Sequence, residues 1–68
     1  MKLLVTIYTD EDGMYIAECP AIPGCVSQGH SEAEAEQNIT DAIRECLAVR
    51  VAQGLPPTIA AREIEVSV

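Results

Sequence analysis

Leu3, Val5 and Ile7 alternate with Leu4, Thr6 and Tyr8, and this period of two, rich in β-branched side chains, predicts a strand over residues 2–9. Asp10-Glu11-Asp12-Gly13 breaks the pattern, and its Asp-Gly step readily supplies the positive φ of a tight turn. Met14 to Cys19 reads as the hairpin partner, stopped at Pro20 because proline has no N–H to give to a ladder. Pro20-Ala21-Ile22-Pro23-Gly24 is a rigid connector from which Ala21 and Ile22 are expected to tuck back onto the sheet. Cys25 to Gln28 then makes a short third strand, closed by Gly29 and His30.

The period changes at Ser31. Ser31 with Glu34 three residues later is a capping box, the signature of a helix start. Ala35, Ile39, Ala42, Ile43, Cys46 and Leu47 recur as one apolar stripe of a 3.6-residue period, with Asn38, Asp41, Glu45 and the arginines on wetter faces. Glu32, Glu34 and Glu36 cluster where the helix dipole favours anions, and Arg44 and Arg50 lie nearer the other end. Gly54 is a natural helix stop, and Pro56-Pro57 prevent a restart. Ile64, Val66 and Val68 alternate with Glu63, Glu65 and Ser67, which predicts a fourth strand with one apolar face.

The order βββαβ defines an α+β domain of two layers, one helix on a four-stranded mixed sheet, in a single domain covering residues 1–68. Strand three runs parallel to strand one, so a right-handed helical crossover returns strand four parallel to strand one at its outer edge. The expected strand order is 3-2-1-4.

Composition narrows the partners. Eleven Asp and Glu face four Lys and Arg, a net charge of −7 that repels phosphate backbones and anionic membranes and serves either to meet a basic partner or simply to keep a small domain soluble. Tyr8 and Tyr15 are the only aromatic residues, too few for the stacking platforms of single-strand nucleic-acid binders. Met1-Lys2-Leu3-Leu4-Val5 is too short an apolar run for a signal segment or membrane span, so a cytoplasmic location is expected. Cys19, Cys25 and Cys46 are an odd set with no C-x-x-C spacing and, beside the lone His30, no close-spaced ligand pair. They read as small apolar side chains, Cys46 on the buried helix face and the other two at strand ends, and no metal or cofactor is expected.

The stretch Asp10-Glu11-Asp12-Gly13-Met14-Tyr15-Ile16-Ala17-Glu18-Cys19-Pro20-Ala21-Ile22-Pro23-Gly24-Cys25-Val26-Ser27-Gln28-Gly29 resembles the HicB antitoxin family. The resemblance continues through Ser31-Glu32-Ala33-Glu34-Ala35, Asn38-Ile39, Ala42-Ile43 and Gly54-Leu55-Pro56. It implies a partial ribonuclease-H-like fold and a protein that binds and silences HicA, a small basic ribonuclease that cleaves messenger RNA. Within the motif, Gly13, Pro20, Pro23, Gly24 and Gly29 read as residues of shape, serving turns and strand ends. The anions expected to meet a basic partner are Asp10, Glu11 and Asp12 at the hairpin tip, Glu18, and Glu32 and Glu34 at the helix start.

The sequence departs from the family pattern at His30, where an Asp is frequent. Many HicB proteins also continue into a DNA-binding segment for which no residues remain after Val68, so no direct nucleic-acid binding is expected of this chain. Ribonuclease-H chemistry would need carboxylates converging on two metal ions. Asp10, Asp12, Glu18, Glu63 and Glu65 are scattered, and Cys25 with His30 is a weak thiol-nucleophile pattern, so no catalysis is expected. The alternative is an orphan HicB-like module that assembles with itself, since an open edge strand invites a second copy into a homo-oligomer.

Overall fold

The computed structural model describes residues 1–60 and 62–68. Three strands, β1 (Thr6–Thr9), β2 (Tyr15–Glu18) and β3 (Val26–Gly29), are followed by one helix, α1 (Glu32–Ala52). The sheet is an antiparallel meander of order β1-β2-β3. Its register sets Thr9 opposite Tyr15 and Tyr15 opposite Gly29 at one end, and Thr6 opposite Glu18 and Glu18 opposite Val26 at the other.

Local chemistry closes each connection. The Asp10 carboxylate accepts the N–H groups of Asp12 and Met14, both at 2.9 Å, and Gly13 takes φ +80°. The β2–β3 connector is a run of turns folded on itself: Ile22 N–H donates to the Cys19 carbonyl, Cys25 N–H to that of Ile22, and Cys19 N–H to that of Cys25. Gly24 supplies φ +78° there, and Ile22 is buried beneath the connector as expected, with Ala21 half-buried beside it.

Ser31 caps α1 by accepting the Glu34 N–H at 3.1 Å, and the Glu34 carboxylate reaches back to the His30 N–H at 3.3 Å. The reciprocal bond of the capping box therefore falls one residue before the cap. At the other end Gly54 at φ +73° donates to the Val51 carbonyl and Leu55 donates to that of Arg50, a Schellman stop. Arg50 Nε holds the Pro56 carbonyl at 2.7 Å, so this arginine serves the turn after the helix.

The core comprises Ala17, Cys19, Ile22, Cys25, Ala35 and Ile39, all essentially excluded from water. The helix lies chiefly over β3 and least over β1, and Asn38 Nδ2 ties it there by donating to the Gln28 carbonyl at 2.7 Å. Of the predicted stripe, Ala35 and Ile39 are fully buried, while Ala42, Ile43, Cys46 and Leu47 are half-buried against the core. The thiols lie as expected, Cys19 and Cys25 in the core beside the connector and Cys46 half-buried on the helix.

Gly29 makes this packing possible. A Cβ there would sit 2.5 Å from the Ala35 nitrogen and 2.9 Å from the Glu34 carbonyl carbon, so the first turn of α1 presses directly on the end of β3. Backbone atoms cannot swing aside as a side chain can. Gly29→Ala is expected to lower stability by about 1 to 3 kcal/mol, the usual cost of overpacking. Thermal unfolding measures it; an unchanged melting temperature would mean that the first helical turn shifts freely.

Two features correct the sequence-based expectation. The first strand pairs only from Thr6, not from residue 2, because β2 ends at Glu18 before Pro20 and offers no ladder to residues 2–5. The expected fourth strand, and with it the mixed sheet of order 3-2-1-4, is not formed: residues 62–68 carry no strand pairing and are exposed throughout. Alternation records a preference for a half-buried surface, whereas a strand also needs an adjacent edge to take its N–H and C=O groups. Residues 62–68 are paired to none in this structure.

Candidate functional site

The register gathers most of the candidate anions at one end of the molecule. Thr9, Tyr15 and Gly29 are aligned there, so the hairpin tip with Asp10, Glu11 and Asp12 projects beside the start of α1 with Glu32 and Glu34. Glu18 is not among them. It lies at the opposite end of β2, about 10 Å away for a strand of this length, where it accepts the Tyr8 hydroxyl at 3.2 Å.

Within the acidic end the side chains divide by role. Asp10 is committed to its turn and Glu34 to the helix entrance. No hydrogen bond or ion pair among the described residues engages the side chains of Glu11, Asp12 or Glu32, all of which are exposed. These three are the unengaged anions of that end, and the amino-terminal dipole of α1 partly offsets Glu32 alone.

The motif residues sit where shape is demanded. Gly13 and Gly24 hold positive φ, Gly29 admits the helix, Pro20 follows the end of β2, and Pro23 lies in the folded connector. Cys25 and His30 are not brought together. They flank β3 at opposite ends, roughly 16 Å apart along an extended chain, and burial, with Cys46 and Cys19 adding to it, pushes the Cys25 thiol up to about 12. A thiol so protonated is a poor nucleophile at neutral pH. Among the described residues, no set of His, Cys, Asp and Glu side chains converges to hold a metal ion, and no helix is long and apolar enough to cross a membrane.

Two surfaces were not foreseen from the sequence. The sheet face opposite α1 is uncovered and carries Tyr8, Ile16, Glu18 and Val26, with Tyr8 and Val26 about half exposed. There the Glu18 carboxylate, followed by partial desolvation, raises the Tyr8 phenol above its usual 10.0, so it stays a neutral donor. The other is a groove of about 540 Å³ between β1 and α1, lined by Leu3, Val5, Ile7 and Ile43 together with the polar Glu36, Thr40 and Arg44. The alternation of residues 3–7 signalled its floor; its openness follows from the helix lying over β3.

Fold and site together define a small acidic α+β module, a three-stranded antiparallel sheet with one covering helix, whose exposed chemistry is a patch of unengaged carboxylates. The chain belongs to the UPF0150 family. It is 52% identical over 44 residues to a UPF0150 protein of Thermoplasma acidophilum, a match spanning 65% of this chain and 64% of that one, just under two thirds of its length. A UPF0150 protein of Synechocystis is 49% identical over 46 residues, covering 68% and 67% of the two chains. One from Archaeoglobus fulgidus is 38% identical over 50 residues, covering 74% and 72%. No family model matches the chain. No solved structure matches it.

Proposed function

We propose that this chain is a HicB-type antitoxin domain of a type II toxin-antitoxin system, acting in the cytoplasm by binding a small basic HicA-type ribonuclease and blocking its access to messenger RNA. The observation that carries this reading is the acidic end, where Glu11, Asp12 and Glu32 stand exposed and unengaged in a chain of net charge −7. Carboxylates so placed attract a cationic, RNA-binding surface and compete with phosphates for it. The resemblance of residues 10–43 to HicB supports the same reading, as does the positive φ that Gly13 and Gly24 adopt within that motif. The domain itself acts by occlusion, without catalysis or cofactor. The ribonuclease-H-like arrangement belongs to this reading too, and it requires a further strand beside β1.

The open edge of β1 favours a second reading, an orphan HicB-like module that assembles with itself and has no toxin. Co-expression with a small basic HicA-type ribonuclease separates the two. The antitoxin reading expects a stable complex on gel filtration and relief of the ribonuclease's growth arrest. Two separately eluting proteins with growth still arrested would leave the orphan reading.

A further inference from the structure

We propose that residues 62–68 of one copy pair along the free edge of β1 in a second copy, closing the groove between β1 and α1 in both, so that the chain forms a two-fold dimer by strand exchange. This stands independently of the antitoxin reading.

Both halves of the contact are present and unsatisfied. Among the described residues β1 pairs only with β2, so its other edge presents unpaired N–H and C=O groups. Beneath that edge the groove exposes the apolar floor of Leu3, Val5 and Ile7. Residues 62–68 supply what is missing, with Ile64, Val66 and Val68 at alternate positions, 80%, 70% and fully exposed. β-branched residues spaced by two are the pattern that buries one face of an added strand.

The segment stays off its own sheet in this structure, which points to a second copy. After the Schellman stop, the Ile59 N–H donates to the Ala21 carbonyl at 2.8 Å, which ties Ile59 to the β2–β3 connector. Beyond it the side chains extend from their own domain without burial. The radius of gyration is 13.4 Å, against about 11 Å for a compact chain of this size. A reciprocal exchange fills two grooves with two segments and pairs the β1 edge of both copies, as a closed two-fold contact requires.

Charge fits the same geometry. With Ile64, Val66 and Val68 turned toward the groove, Glu63 and Glu65 fall on the opposite face of the sheet. That is the face of Thr6 and Tyr8 on β1, and the same alternation carried back before β1 puts Lys2, the sole lysine of the chain, on that side. Opposite charges on neighbouring strands of one face attract.

Sedimentation of the full chain at micromolar concentration is expected to give twice the monomer mass. Val66→Asp is expected to weaken the dimer at least tenfold while leaving the far-ultraviolet spectrum of α1 unchanged, because residue 66 touches no part of the core. An equal mixture of unlabelled and nitrogen-15 chains, unfolded and refolded together, is then treated with a carbodiimide to join Lys2 to Glu63 or Glu65. Mixed-isotope crosslinks are expected. A monomeric parent, a dimer indifferent to Val66→Asp, or crosslinks confined to chains of one isotope, which would place the segment on its own β1, would each overturn the proposal.

Discussion

Replacing Ile39 by Ala is expected to leave a large fraction of this protein unfolded at room temperature. Ile39 is the largest helix side chain wholly excluded from water, packed among Ala17, Ile22, Cys19 and Cys25 of the core. Truncating such a residue costs about 2 to 5 kcal/mol, the lost transfer energy plus the cavity left behind. A domain this small has roughly 3 to 10 kcal/mol in total, so the loss consumes much of the margin. Ile43→Ala is expected to cost less, because Ile43 is half-buried at the wall of the open groove and gives up less contact. Urea titration followed by circular dichroism measures both. A larger loss at Ile43 than at Ile39 would mean that the helix covers β1 rather than β3.

The second large effect is kinetic. Neutralising Glu11, Asp12 and Glu32 together, to Gln, Asn and Gln, is expected to slow association with the basic ribonuclease about tenfold at low salt, the lower end of electrostatic steering. Asp10 and Glu34 are left in place because their carboxylates hold the turn and the helix entrance. Since exposed surface substitutions shift stability by no more than about 0.5 kcal/mol, the melting temperature should barely move. Near 1 M salt, where the Debye length is about 3 Å, parent and variant should associate at the same rate. Stopped-flow mixing across salt concentrations measures this, and equal rates at low salt would remove the acidic end from the encounter.

The legible parts of this fold are those fixed by neighbours in sequence. The Asp10 turn, the Ser31–Glu34 capping box and the Gly54 stop each declare themselves within five residues, and each forms. What depends on distant strands was less legible. The stripe from Ala35 to Leu47 identifies the inward face of α1, yet only the strands beneath it decide that Ala35 and Ile39 are sealed while Ile43 borders a groove. Glu18 looks like one more anion of a cluster, and only the register shows it at the far end of the sheet. The alternation after Glu63 is a strand pattern without a strand in this structure, because alternation alone does not supply the edge that a ladder needs. Gly29 carries a comparable silence: its residue type is visible, whereas the backbone of Ala35 that excludes a Cβ comes from the next element.

The most direct measurement is RNA cleavage by a purified basic HicA-type ribonuclease, titrated with this chain at physiological salt. The antitoxin reading predicts that cleavage falls in proportion to added protein and stops near stoichiometric addition, with the Glu11, Asp12 and Glu32 variant needing longer preincubation to reach the same endpoint. Cleavage that continues undiminished in the presence of a molar excess of the folded chain would contradict it.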